Sequence, residues 1–212
     1  MLTQKQLAII LTQFSEFAKP SASLEQYKTN PDIAAEILWS AKMNGDIEGK
    51  TIADLGCGTG ILGISAILLG AKKVFFVDVD ESALMLAKKN LEFVKNRYQL
   101  KNLKNRAEFI LSDIVPFNEK VDVVLQNPPF GVQKEHADRK FLSKAFQIAD
   151  VVYSFHKTES QIFLDQFSED NGFKITRYFE FDFPLPKTQK FHTHKTYKFR
   201  VGCWRFERIK QS

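Results

Sequence analysis

The sequence predicts an α/β fold, a doubly wound seven-stranded sheet that closes with an antiparallel C-terminal strand pair. Three observations carry this prediction. Short apolar runs alternate with segments of helical period, a glycine-rich turn joins the first such run to a helix, and two long strands of alternating pattern finish the chain.

Composition sets the frame. The chain has 212 residues, 44% hydrophobic and 26% charged, the balance of a soluble globular domain with a core of useful size. No apolar stretch has the length of a bilayer span, and residues 1–16 lack the basic-then-apolar order of a secretory signal. Cys57 and Cys203 alone do not make a disulfide framework, so a reducing, cytoplasmic setting is expected. A net charge of +5 admits a polyanionic partner without requiring one.

Taken in order, Leu7, Ile10, Leu11 and Phe14 recur at helical spacing and predict an amphipathic helix from about Gln4 to Phe17, ended by Pro20. After a polar stretch, Asn30 and Pro31 read as N-cap and first residue of a second helix running to Met43, with Gly45 as its stop. Thr51 to Leu55 is a strand feeding Gly56-Cys57-Gly58-Thr59-Gly60, and a helix over Ile61–Leu69 follows. A strand over Val74–Val77 ends in Asp78, a helix runs from Glu81 to about Gln99, and a third strand, Glu108–Leu111, ends at Asp113. The run Val121 to Leu125 is a buried fourth strand, stopped by Pro128 and Pro129, which cannot donate to a sheet. A polar loop, Val132 to Arg139, precedes a helix over Lys140–Ala149 and a fifth strand over Val151–Phe155. A helix over Glu159–Asp170 and the strands Phe173–Phe183 and Lys195–Arg208 complete the chain.

The chemistry-bearing residues fall at strand ends, where open α/β sheets place their ligands. Gly56, Gly58 and Gly60 let the backbone approach a ligand, and the helix after them offers free N–H groups. Asp78, about twenty residues on, suits the vicinal hydroxyls of a ribose. The spacing departs from the dinucleotide fingerprint, because Asp54 precedes the first glycine and the gap before the last is too short. A carboxylate there repels a pyrophosphate but attracts an α-ammonium group, which points to S-adenosylmethionine rather than to NAD. Asp54 also has the simpler role of capping the loop's amides, and the two are compatible. Asp113 is placed either to accept an adenine amine or to cap the next turn. Asn127, in Asn127-Pro128-Pro129-Phe130, either caps its strand or accepts an N–H from a planar amine, with the Pro128 carbonyl as second acceptor and Phe130 as stacking face.

Asp54 to Gly60 resembles motif I of the class I S-adenosylmethionine-dependent methyltransferases, and Asn127-Pro128-Pro129-Phe130 resembles the catalytic motif of their amino-methylating branch. Leu24-Glu25-Gln26-Tyr27-Lys28-Thr29, Asn127 to Gly131, Val152-Tyr153-Ser154-Phe155-His156-Lys157 and Lys190-Phe191-His192 occur in the order seen in the methyltransferase-like protein 5 family. The resemblance runs from about Leu24 to Phe206. It implies a Rossmann-like methyltransferase domain that methylates N6 of an adenosine in small-subunit ribosomal RNA. It further implies that Gln26 and Thr29 close over the cofactor, with Gly56, Thr59, Ile61, Asp78 and Asp113 lining its site. It also implies a small zinc-binding activator protein as partner. The expected division is residues 1–45 as N-terminal helices and cofactor lid, and 46–212 as the catalytic core of a single domain. The third strand should stand at a sheet edge, with Phe109 and Leu111 apolar on it, and an uncovered edge invites a partner strand.

Substrate capture is expected over Pro186–Arg200, where Lys187, Lys190, Lys195, Lys198 and Arg200 interleave with Phe191, Tyr197 and Phe199 and no acid occurs. Within it Lys187, Lys190, Phe191, His192 and Lys195 are the candidate RNA contacts. His192 and His194 alone are too thin a set for a metal site, and His156 reads as a packed strand-end histidine. The closest rival is a protein N5-glutamine methyltransferase, which holds a carboxamide in a similar corner but usually carries tyrosine after the second proline. A DNA adenine methyltransferase normally needs a sizeable recognition domain, which is not found in this sequence. A non-enzymatic RNA-binding scaffold would leave the Asn-Pro-Pro-Phe corner idle.

Overall fold

The computed structural model describes residues 2–17, 21, 29–98, 105–130, 137–184 and 198–210. Its centre is one seven-stranded sheet in the order β3-β2-β1-β4-β5-β7-β6. The strands are β1 (Thr51–Leu55), β2 (Lys73–Asp78), β3 (Ala107–Leu111), β4 (Val123–Gln126), β5 (Val151–Lys157), β6 (Phe173–Pro184) and β7 (Lys198–Arg208). The first five pair in parallel, while β7 runs antiparallel to both β5 and β6. The chain winds outward from β1 to β3, then restarts at β4 on the other side. This creates a switch point between β1 and β4.

Successive strand residues point to opposite faces, and the two cores follow that alternation. Ile52, Val74, Phe76, Val123 and Leu125 face one core with Leu7, Ile37, Leu38 and Ile64. Ala53, Leu55, Val77, Val124 and Val152 face the other with Leu142, Phe146, Leu164 and Trp204. The helices are α1 (Gln4–Leu11), α2 (Pro31–Met43), α3 (Ile61–Leu68), α4 (Glu81–Tyr98), α5 (Ala137–Ile148) and α6 (Gln161–Asp170), the last entered through a 3-10 turn, Thr158–Ser160.

The second helix has the predicted bounds because its signals are local. The Asn30 side chain accepts from the Asp32 and Ile33 amides, Pro31 opens the first turn, and Gly45 takes a φ of 79° just beyond the end. The first helix stops at Leu11, short of the expected Phe17. Thr12 caps it, its hydroxyl and the Gln13 side chain both donating to the Ile9 carbonyl, and Phe14 reaches the core from a turn instead. The fourth strand runs through Gln126, and α5 starts at Ala137, inside the stretch expected as loop. β5 extends two residues past Phe155 to Lys157. β3 is the sheet edge, as expected, with Phe109 stacked on Phe76 at 4.7 Å and Leu111 56% exposed.

Candidate active site

β1 and β4 end together: Leu55 faces Gln126 in register, so Gly56 and Asn127 are the next residues out, side by side at the switch point. Leu55 also faces Val77, which sets Asp78 beside Gly56 on the other flank. The glycine loop is held by its own backbone. The Gly56 and Cys57 amides both donate to the Val77 carbonyl, at 2.8 and 3.1 Å, and the Gly60 amide donates to the Cys57 carbonyl at 2.8 Å. Gly60 has φ of 77°, and a Cβ there would lie 2.9 Å from that of Ala87 on α4. Only glycine lets α3 begin this close to α4. With glycine at three of its five positions and a helix start behind it, the loop leaves backbone room for a nucleoside bearing an amino acid.

Asp54 is 1% exposed, and its Oδ2 accepts the Gly63 amide of α3 at 2.8 Å. It therefore caps the first turn of α3 and not the loop's own amides. Burial pushes its carboxyl up to about 8, the Gly63 hydrogen bond works against that, and the nearby Asp78 charge adds to it. Asp78 bridges the loop in a similar way, its Oδ2 accepting the Gly58 amide and its Oδ1 the Asp80 amide, both at 2.9 Å, with burial again raising its pKa. Two buried acids with no compensating cation among the described residues make a fitting seat for a cationic, hydroxyl-bearing ligand. Asp113 is exposed, with Oδ1 accepting the Val115 amide at 2.9 Å. Its turn-capping role is thus real, and its other oxygen is the one left for an amine. Ile61 is buried at the start of α3, and burial raises the Cys57 thiol well above its ordinary value. Cys57 is packing, not a nucleophile.

Asn127 stands apart. Its Nδ2 donates to the Thr29 hydroxyl at 3.0 Å, which fixes the amide plane. Its Oδ1 is buried and accepts no hydrogen bond from the described residues. Pro128 is buried beside it, and Pro129 and Phe130 are half-buried, with Phe130 resting on the core that lies under α1 and α2. An orphaned buried acceptor costs roughly 1–3 kcal/mol. A strand-end cap would not leave it so.

Asn90, on α4, was not legible in the sequence. It is 1% exposed, and its side chain accepts the Ser15 amide at 2.8 Å while donating to the carbonyls of Ser15 at 3.1 Å and Thr59 at 2.9 Å. One carboxamide so ties the N-terminal segment to the glycine loop. Its partners lie 75 and 31 residues away, beyond any local pattern. Asn90→Ala would strand the half-buried Ser15 amide, so a loss of about 1 kcal/mol is expected in thermal unfolding. Calorimetric titration should show a parallel loss of cofactor affinity. Unchanged affinity would confine Asn90 to structure.

Gln26 lies outside the described residues, as do Lys187, Lys190, Phe191, His192 and Lys195. Of the basic stretch around them, Arg200 is described with its side chain. It is exposed and donates to Glu180 at 3.0 Å.

A glycine cradle at the first strand and an Asn-Pro-Pro-Phe corner at the fourth, joined across the switch point of this sheet order, define a class I methyltransferase domain. The chain belongs to the methyltransferase small domain family, which its residues 27–150 match, and within it to the methyltransferase-like protein 5 family. The rRNA N6-adenosine-methyltransferase METTL5 of Danio rerio is 35% identical over 95% of this chain and 97% of its own length. The Drosophila melanogaster protein of the same name is 33% identical over 90% of each. Among solved structures, a candidate RNA methyltransferase from Pyrococcus horikoshii is 42% identical, with a TM-score of 0.87 over 99% of this chain and all of its own.

Proposed function

We propose that this chain methylates the exocyclic N6 amine of an unpaired adenosine in small-subunit ribosomal RNA, with S-adenosylmethionine as donor. The observation that carries the reading is the Asn127 Oδ1, a buried acceptor with no partner among the described residues, whose amide is locked by Thr29. The likeness to rRNA N6-adenosine-methyltransferases over nearly the whole chain supports the substrate class.

An adenine amine is a weak nucleophile because its lone pair is delocalised into the ring. Asn127 Oδ1 and the Pro128 carbonyl accept its two hydrogens, which turns the lone pair toward the donor site. Phe130 holds the ring in plane. When bound, S-adenosylmethionine supplies a methyl group made electrophilic by its sulfonium. As the amine nitrogen bonds that carbon, the carbon–sulfur bond breaks with its pair kept by sulfur, and the spare amine proton leaves to water. No strong base is required. Orientation alone can save roughly 7–11 kcal/mol of barrier. Thr29, Asp54, Gly56, Gly58, Thr59, Gly60, Ile61, Asp78 and Asp113 are the described residues that would hold the donor, with Gln26 closing over it. Lys187, Lys190, Phe191, His192 and Lys195 would bind the RNA. A base in a stem cannot reach this corner, so the target is unpaired or flipped.

The test incubates the chain with methyl-labelled S-adenosylmethionine and separate pools of ribosomal RNA, DNA and release factor. Label recovered as N6-methyladenosine from small-subunit RNA is the expected result. Label in a protein glutamine or in DNA overturns it.

The same reading gives the chain a small zinc-binding activator whose strand adds to the open edge of β3, where Leu111 is exposed. Copurification with such a protein should raise solubility and turnover. A chain that is monomeric, soluble and fully active alone removes the need for that partner. The buried thiols of Cys57 and Cys203 agree with a cytoplasmic setting.

A further inference from the structure

On the face of the sheet opposite Asn127, a line of buried polar side chains runs from β4 through β5 to α5. Gln126 Nε2 donates to Ser154 Oγ at 2.9 Å, and Ser154 Oγ lies 2.6 Å from His156 Nε2. Gln126 and Ser154 are fully buried, and His156 is 1% exposed. Because Ser154 accepts from Gln126, its own hydroxyl proton is directed at Nε2, and the ring proton then sits on Nδ1. Nδ1 faces Asp138 Oδ2, in the first turn of α5, at 3.8 Å.

Two features make this more than core filling. Gln126 immediately precedes Asn127, and Asp138 sits just inside the helix that follows the methylation corner, so the line grips both ends of the segment that carries the corner. Gln126 Oε1 and His156 Nδ1 are also buried without a hydrogen-bond partner among the described residues. Each such atom is costly, and a phenylalanine would fill the site more cheaply than a histidine. The 3.8 Å gap is about 1 Å longer than a charge-assisted hydrogen bond. A small inward step of α5 closes it.

We propose that His156 is a positioning residue for methyl transfer, which draws Asp138 into a closed hydrogen bond when the target adenosine is bound and so holds the Asn127–Phe130 corner in its working shape. This rests on the function proposed above. The ring works neutral. Burial lowers its pKa and Asp138 opposes that. Around it β4 presents neutral Gln126, β5 neutral Ser154, and β7 the edge of Trp204 at 5.9 Å, with Trp204 itself held by Gln161. Among the described residues, the charge bearing on the ring is that of Asp138. Protonation puts a hydrogen on Nε2 that Ser154 must accept, so the Ser154 hydroxyl proton loses its acceptor and the Ser154–His156 link is reversed. Turnover at saturating cofactor should therefore fall as pH drops below the ordinary histidine range.

The test compares wild type, His156→Phe and His156→Asn in methyl transfer to small-subunit ribosomal RNA, with cofactor binding by calorimetry and folding by thermal melts. His156→Phe should lower kcat on the order of 10²-fold, the cost of about 1 Å of misplacement, with the cofactor Kd within about two-fold because the cradle lies on other strands. His156→Asn keeps a donor toward Asp138 and cannot titrate in this range. It should recover most of kcat at pH 8 and lose the acid limb of the pH profile. A folded His156→Phe with wild-type kcat, or a His156→Asn that fails to recover turnover or keeps the acid limb, overturns the proposal. Should His156→Phe not fold, the His156→Asn profile decides alone. A wild type that methylates no ribosomal RNA refutes the function instead.

Discussion

Asn127→Ala should lose turnover while keeping its cofactor. The side chain removed is the only one whose buried acceptor has no partner among the described residues of the corner, and its loss leaves the target amine with one acceptor instead of two. Removing a single preorganised hydrogen-bonding group from such a site costs about 10²- to 10³-fold in kcat. The seat proposed for the cofactor, by contrast, centres on the glycine loop with Asp54 and Asp78, which are held by backbone amides and not by Asn127. Because Asn127 also holds Thr29, a rise of about ten-fold or less in Kd is expected, well below the fall in kcat. Asn127→Asp separates the two halves of the amide. It keeps an oxygen where the amine docks but replaces the N–H that holds Thr29 with a second acceptor, so the Thr29 hydroxyl must turn and donate to it. A partial loss is expected there, and near-normal transfer by the alanine variant refutes the assignment.

Asp54→Asn should separate capping from cofactor recognition. Asparagine retains an oxygen for the Gly63 amide, so the turn into α3 survives. What disappears is the titratable group. In wild type the folded-state pKa is raised from 3.8 to about 8, so the folded protein holds a proton that the unfolded chain releases. The stability this confers is fully present below pH 3.8 and is lost as pH rises through about 8. Cofactor-free wild type should therefore weaken across that window more steeply than Asp54→Asn, and the variant should be the more stable of the two at pH 8.5. A cationic α-amino group prefers the ionised acid, so cofactor affinity of the wild type should rise with pH over the same range. A hydrogen bond to a charged group is worth about 1.5–3 kcal/mol, which makes the expected loss of affinity in Asp54→Asn roughly 10- to 100-fold. Equal pH slopes in denaturation of the two proteins would remove Asp54 from this role.

What the sequence disclosed follows from how far each signal reaches. Asn30-Pro31 and the glycine turn are local, and the helix starts they mark are as read, while the strand before Pro128-Pro129, read as Val121 to Leu125, spans Val123–Gln126. Asp54, Asp78 and Asn127 were legible because strand ends are where this topology places ligands, and strand ends are marked by residues next to one another in the chain. Leu7, Ile10, Leu11 and Phe14 are all buried, yet periodicity overran the end of α1, since Phe14 enters the core from a turn fixed by Thr12 and by Asn90 on Ser15. The start of α5 was missed because Ala137-Asp138-Arg139 looks like polar loop until the fold brings Asp138 toward His156. Asn90, Gln126, Ser154 and Asp138 act through partners on other elements, and no spacing rule anticipates that.

The most direct test is a structure of the complex with S-adenosylhomocysteine and an adenosine-containing oligonucleotide. The account predicts the target N6 at about 2.9 Å from Asn127 Oδ1, with Phe130 against the ring and the cofactor's amino-acid end beside Asp54. A purine bound elsewhere, or Oδ1 turned into the protein with the cofactor and nucleotide both in place, would contradict it.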